Sequence, residues 1–225
     1  MTNEPLRFAA PNYLEHFVHY GNFSDQAPHT LDGEYVVVDV ETSGLEPGQG
    51  ARVIEIAAIR TPGDGTVTQS MHTLINPDGP EVGLTSLHGI SSEMVSDAPK
   101  FTEVIDQISE IFSNAIFVAH HALFDERFVA NEFRLAGKSL SVMPGTCTYW
   151  MSREVTTGTP NHKLATLTDH YNLDGGVAHS AFSDAMVVVQ LLPKLLSKMN
   201  HPAHYVPLSQ QAVTGNQTGT LKPRF

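Results

Sequence analysis

The stretch Tyr35-Val36-Val37-Val38-Asp39-Val40-Glu41 constrains the fold of this chain more than any other. A continuous run of β-branched residues is the pattern of a strand covered on both faces, which implies a sheet with helices packed on either side. Residues two apart on a strand point the same way, so Asp39 and Glu41 share a face with Tyr35 and Val37. Two like charges held that near a core are costly unless a cation compensates them. A hard divalent metal bound through oxygen would do so. The same residues read equally well as a strand that has reached its exposed end, with solvated acids ahead of Thr42-Ser43-Gly44. The fragment alone leaves both readings open.

Two further acids stand in distinctive settings. An apolar strand over Ala115 to Ala119 runs into a helix beginning near Ala122, which puts Asp125 in its first turn beside the core-facing Phe124 and Phe128. By itself, Asp125 reads as an acid that complements the helix dipole. Ala181, Ala185, Val188, Leu192 and Leu195 recur at helical spacing, and Asp184 borders that stripe. His179 sits just ahead of the helix, where a loop can aim its ring into the same space, although a lone His there is more often a surface residue.

Together these segments resemble a known family. Asp39-x-Glu41-Thr42-x-Gly44, His120-x-Ala122-x-Phe124-Asp125 and His179-x-Ala181-x-x-Asp184 are similar, in order and spacing, to the three motifs of the DEDDh 3′–5′ exonucleases, above all the proofreading epsilon subunits of bacterial DNA polymerase III. The resemblance runs from Glu34 to Leu196. It takes in Arg52-Val53-Ile54-Glu55-Ile56-Ala57 as a second strand and Leu87-His88-Gly89-Ile90 as the loop before the first helix. It implies a ribonuclease H-like α/β fold, a mixed five-stranded sheet flanked by helices.

It also implies a chemistry. Phosphodiester hydrolysis depends on positioning and charge stabilisation, and two Mg²⁺ or Mn²⁺ ions about 4 Å apart can serve both the attacking and the leaving oxygen. By the resemblance, Asp39 bridges both metals, Glu41 and Asp184 complete the first site, and Asp125 holds the second. His179 is then the general base, since imidazole exchanges protons near neutral pH. Thr42, Gly44 and Leu45 are expected at the 3′-terminal nucleotide, with His88, His120 and Phe124 lining its pocket. Imidazole and aromatic faces stack on any base, but Phe124 reads nearly as well as plain core packing. Two positions depart from the pattern: His121 stands where epsilon-like proteins usually carry Asn, and Cys147-Thr148 stands where Asp-Thr is usual.

Charge qualifies the picture. The chain carries 13 Lys and Arg against 24 Asp and Glu, a net charge of −11. Such a protein has no long-range attraction for phosphates. The local balance turns between Phe133 and Thr168, where Arg134, Lys138, Arg153 and Lys163 face only Glu154, so this stretch is expected to border the path of a bound strand or to be ordinary solvated surface. A single cysteine, Cys147, excludes an intramolecular disulfide and reads as a small core residue. The 12 His are scattered without zinc-site spacing. No membrane-length run and no leader pattern are present, so a cytoplasmic protein is expected.

Residues 1–32 read as an N-terminal extension, 33–200 as the exonuclease domain and 201–225 as a flexible C-terminal tail. Within the extension Tyr13, Leu14, Phe17 and Val18 make an apolar stripe at helical spacing. Strands are expected at Glu34–Glu41, Val53–Thr61, Val67–Ile75, Ala115–Ala119 and about Ser141–Thr148. Helices are expected from Lys100 to about Ser113, from Ala122, near Leu164–Tyr171 and through Lys198. Three functions follow: an exodeoxyribonuclease acting on DNA 3′ ends in proofreading or repair, with a polymerase or replication subunit as a possible partner; the same chemistry on RNA, as in ribonuclease T; or a non-catalytic scaffold in a replication complex. The intact acids and His179 favour the first two.

Overall fold

The computed structural model describes residues 33–79, 81–138, 140–141, 143–176 and 179–199, together with the backbone of 18–22, 29–30 and 204–207. In chain order, β1 (Val18–Asn22) and β2 (His29–Thr30) precede the carboxylate strand β3 (Glu34–Thr42), then β4 (Val53–Thr61) and β5 (Gln69–Leu74). Two short helices, α1 (Thr85–His88) and α2 (Ser92–Ser96), lead to α3 (Phe101–Phe112), β6 (Ala115–Ala119) and α4 (Ala122–Leu135). After β7 (Met143–Cys147) come α5 (Thr148–Val155), α6 (Leu164–Tyr171), α7 (Ala181–Leu196) and β8 (His204–Pro207).

The strands lie in the order β2-β8-β1-β7-β6-β3-β4-β5. The five expected strands form the body: β3 pairs antiparallel with β4 and parallel with β6, β5 pairs antiparallel with β4, and β7 parallel with β6. This is the mixed sheet expected from the sequence. Beyond β7 the sheet continues. β1 adds in parallel to β7, with Val18 opposite Met143, β8 runs antiparallel to β1, and β2 antiparallel to β8. Val18 therefore belongs to a strand and not to a helical stripe; Tyr13, Leu14 and Phe17 lie outside the described residues. Segments read from sequence as lying outside the domain thus supply strands to one edge of its sheet.

Alternation along β3 divides two cores. Val36, Val38 and Val40 pack with Ile105 and Ile108 of α3 and Phe128 and Phe133 of α4. Tyr35 and Val37 pack on the other face with Ala185, Val188, Leu192 and Leu195 of α7. Burying an aliphatic or aromatic side chain of this size is worth roughly 1.5–3 kcal/mol, so these contacts fix which helix covers which face. Asp39 and Glu41 follow Tyr35 and Val37 in that alternation, which turns them toward the side on which α7 lies. α3 starts as expected, with Glu103 Oε2 accepting the Lys100 N–H at 2.8 Å. The helix α5 is an addition to the sequence reading: Thr148, expected as a strand end, opens it instead.

α4 is tied to the start of β4 by an ion pair whose acid, Glu132, is buried and whose base, Arg52, is partly exposed. Arg52 donates from Nε and Nη2 to the two carboxylate oxygens of Glu132 at 2.8 and 2.7 Å, and Glu132 Oε1 also accepts the Val53 N–H at 3.1 Å. A buried carboxylate must be hydrogen-bonded on this scale to be tolerated. The tie sets the lie of the helix that carries Asp125.

Candidate active site

The two acids of β3 stand at its C-terminal end, where the ladder to β4 shifts register between Glu41 and Thr42. Asp184, in the first turn of α7, comes over them, and one oxygen from each of Asp39, Glu41 and Asp184 lies within 4.8 Å of the others. Asp125 is 3% exposed and arrives from α4, its Oδ1 accepting the Val40 N–H at 3.2 Å. The backbone between the two β3 acids therefore holds the fourth. The structure brings Asp39, Glu41, Asp125 and Asp184 to one strand end.

Their charges conflict. Burial pushes the Asp39 carboxyl well above the usual carboxylate range, and Asp125, Asp184, Glu41 and Glu55 push the same way. Glu41 is pushed up to about 8 by burial, then by Glu55 and Asp184. Asp125 is raised by burial against the pull of its backbone N–H bonds, and Asp184 is raised by burial against the pull of His179. Acids that hold one another protonated are stabilised in their ionised form only by a cation among them. An all-carboxylate donor set suits a hard divalent ion such as Mg²⁺ or Mn²⁺, so these residues fit such a group.

His179 stands just before α7 with φ +60°, a left-handed conformation that is uncommon outside glycine. Its backbone N–H bonds the Asp184 carboxylate, and its imidazole is near enough for its charge to favour the ionised Asp184. Thr42 Oγ1 donates to the Gly44 carbonyl at 2.7 Å, closing the turn that leaves Leu45 77% exposed. His88 is buried; its Nδ1 accepts the Ile90 N–H at 3.1 Å, and its Nε2 is buried with no hydrogen-bond partner among the described residues. His120 is committed on both sides, Nδ1 to Thr148 Oγ1 at 3.0 Å and Nε2 to the His162 carbonyl at 3.0 Å, and burial pushes it down to about 3. Phe124 is partly buried against the core, tilted on Phe128 at 4.9 Å between centroids.

His121, the departure from Asn, also takes the left-handed region at φ +73° ahead of α4 and stacks on Tyr149 at 4.2 Å. Cys147 is a buried core residue, as expected. The basic stretch splits. Arg134 bonds Asn131 Oδ1 at 2.9 Å beside a cavity of 520 Å³, and Lys138 pairs with Asp106. Arg153 lies 5.9 Å from the Tyr149 ring centroid, and the Lys163 N–H is held by Asn161.

One residue escaped the sequence reading. Glu55 of β4 is 5% exposed and sits opposite Glu41 in the ladder. Its Oε2 accepts the Ala181 N–H at 3.0 Å, and its Oε1 meets His72 Nε2 at 2.6 Å. An acid within an apolar strand run is the signal that singled out Asp39, and Glu55 carries it too.

The chain matches the family model described as Exonuclease over residues 36–192. It belongs to this exonuclease family. Members depend on divalent metal, and the carboxylate cluster is where this exonuclease carries such a donor set. Among curated relatives it is 34% identical over 166 residues to the 3′-5′ exonuclease DinG of Bacillus subtilis (strain 168), matching 73% of this chain and 18% of that protein. It is 29% identical over 168 residues to the DNA polymerase III subunit epsilon of Rickettsia conorii (strain ATCC VR-613 / Malish 7), matching 72% of this chain and 73% of that subunit. The chain thus spans under a fifth of DinG's length but most of the epsilon subunit's.

Among solved structures, the nuclease domain of 3′hExo, a DEDDh family member bound to rAMP, superposes with a TM-score of 0.63 at 13% identity, over 80% of this chain and 98% of that one. Exonuclease I of E. coli in complex with a dT13 oligonucleotide gives 0.63 at 16% identity, over 74% and 42%. These likenesses establish the ribonuclease H-like fold. Among the described residues no helix is long and apolar enough to cross a membrane.

Proposed function

We propose that this exonuclease hydrolyses phosphodiester bonds from the 3′ end of DNA, releasing nucleoside 5′-monophosphates in proofreading or repair. The observation that carries the reading is the cluster of Asp39, Glu41 and Asp184, with Asp125 on the Val40 N–H beside it. The extent of the match to an epsilon subunit supports the DNA assignment and a polymerase or replication subunit as partner.

Two Mg²⁺ or Mn²⁺ ions would be held by Asp39, Glu41 and Asp184 and by Asp39 with Asp125, and when bound would supply charge stabilisation at the phosphate. The chain's own residues do the rest. His179 takes a proton from the attacking water; the water oxygen's electron pair forms the new P–O bond as the bond from phosphorus to the 3′ oxygen of the preceding nucleotide breaks. That oxygen leaves with the electron pair of the broken bond and takes a proton from solvent water to become the new 3′ hydroxyl. Asp184, bonded by the His179 N–H, holds the base loop in place. Thr42, Gly44 and Leu45, with His88, His120 and Phe124, surround the terminal nucleotide in this reading. His120 does so by orientation, since both its ring nitrogens are spoken for.

RNA is the second reading, favoured by the coverage of nearly the whole 3′hExo nuclease domain, whose structure holds rAMP. Incubation with Mg²⁺ and 5′-labelled single-stranded DNA, mismatched duplex or RNA separates the two. A ladder shortened stepwise from the DNA 3′ end is expected, abolished in Asp39→Ala and reduced about 10²- to 10⁴-fold in His179→Ala. Faster degradation of RNA would replace the first reading by the second, and full activity in Asp39→Ala would overturn both.

A further inference from the structure

The turn that follows the carboxylate strand is clasped from α4. Arg127, two residues past Asp125, donates from Nη1 to Glu46 Oε1 at 2.8 Å and from Nη2 to the Leu45 carbonyl at 2.6 Å. Its guanidinium carbon lies 5.1 Å from the Phe124 ring centroid and 5.8 Å from that of Phe128. One cation therefore joins the Leu45–Glu46 turn to the face of Phe124. The turn is braced from within as well: the Ser43 N–H donates to the Arg52 carbonyl at 2.9 Å, and the Glu46 carbonyl accepts the Gln49 N–H at 3.0 Å.

What this brace holds is a side chain in solvent. Leu45 is 77% exposed although its carbonyl is pinned. A single exposed leucine needs no explanation by itself. This one sits at the tip of a turn fixed by a two-pronged, planar guanidinium contact, the geometry in which arginine gives orientation as well as attraction. Arginine stacked on an aromatic ring also presents a flat cation–π surface. An apolar tip and a stacked guanidinium–aromatic pair, rigidly joined beside a carboxylate cluster, suit a flat nucleobase.

We propose that Arg127 is a positioning residue for the 3′-terminal nucleobase: by locking the Leu45–Glu46 turn to Phe124, it sets the width of the slot that the base enters. The proposal rests on the reading of Leu45 and Phe124 as nucleotide contacts. It assigns to Arg127 and Glu46 no part in the chemical step. Loss of the clasp frees the turn, so the bound state must order it again, and the cost falls on binding.

The test uses Glu46→Arg, which sets two cations against each other and leaves Arg127 beside Asp125, together with Glu46→Gln, Glu46→Ala and Leu45→Ala. KM and kcat are measured on a 5′-labelled thymidine oligonucleotide with Mg²⁺ titrated separately. Glu46→Arg should raise KM about five-fold, the size of one part-buried ion pair, with kcat and the Mg²⁺ midpoint within two-fold of the parent. Glu46→Ala should give a smaller rise, and Glu46→Gln, which keeps an oxygen to accept from Arg127 Nη1 and leaves the contacts to the Leu45 carbonyl and Phe124 in place, should stay close to the parent. A staple that only holds the fold would lower the melting temperature and leave KM where it was, and that result would overturn the proposal, as would a Glu46→Gln variant whose KM rises as far as that of Glu46→Arg. If Leu45→Ala raises KM while the Glu46 variants do not, the clasp is wrong and the slot stands; if Leu45→Ala also leaves KM unchanged, the slot reading itself has failed.

Discussion

Glu55 Oε2 accepts the backbone N–H of Ala181 at 3.0 Å, joining the strand beside the β3 acids to the first residue of the helix that brings Asp184. No side chain of Ser180 caps that helix, so Glu55 satisfies an N–H that would otherwise be orphaned in a buried place. The same carboxylate also crowds Glu41. Its carboxylate thus holds the start of the helix despite the electrostatic cost.

Replacing Glu55 by Ala should therefore loosen the start of α7. A loss of about 1–3 kcal/mol is expected from the unsatisfied N–H, with a 10- to 100-fold fall in metal affinity, as for other residues that orient ligands from behind. Glu55→Gln keeps an acceptor for Ala181 and should lose less of both. Thermal melts and Mn²⁺ titration followed by water proton relaxation measure the two effects. Unaltered Mn²⁺ affinity in the Ala variant would show that Asp184 is placed without Glu55.

The crowded acids also make stability depend on pH in an unusual direction. A folded-state pKa raised above the unfolded one, as for Glu41 from 4.5 to about 8, gives stability that is fully present below the unfolded value and lost as pH rises through the folded one. Asp39, Asp125 and Asp184 are shifted the same way. Metal-free protein should thus melt at falling temperature between pH 5 and pH 8. Adding Mn²⁺ should raise the melting temperature more at the upper end of that range than at the lower, because there it replaces protons that have left. A melting temperature of the chelator-treated protein that stays level or rises across the window would contradict this electrostatic account.

Gly83 supports the same turn from the other side. Its φ is +77°, and a Cβ placed on it would come 2.5 Å from the Ser43 carbonyl oxygen and 2.8 Å from the Ser43 carbonyl carbon. Both the backbone conformation and the contact exclude a side chain unless the loop moves. Gly83→Ala should destabilise the fold by about 1–3 kcal/mol and weaken oligonucleotide binding, since the loop that retreats leans on the turn carrying Leu45. A melt and a KM measurement on the same preparation suffice; a variant as stable as the parent would mean the loop yields freely.

Much of this site is legible in the sequence. Period-two alternation in Tyr35–Glu41 and helical spacing from Ala181 placed the acids on elements of the right type, and the order of the motifs tied Asp125 and His179 to them. The role of Glu55 is not legible there, because it depends on Ala181, which lies 126 residues away. The partners of the His120 ring, Thr148 and the His162 carbonyl, are likewise not legible in sequence, since no local pattern links them to His120. β1 is not legible either, because an apolar residue at one strand position fits a helical stripe as well, and only pairing with the edge of β7 decides between them.

The sequence by itself determined which way each side chain of β3, α4 and α7 points along its own element, because backbone period sets direction within a few residues. It therefore determined that this chain builds a layered α/β domain with an acidic strand end. Only the tertiary structure decided that three carboxylates come within 4.8 Å, that Val40 holds a fourth, and that Arg127 clasps the turn beside them. Burial and Coulomb repulsion act between residues brought together from distant parts of the chain, so they exist only once the sheet and its helices have closed on one another.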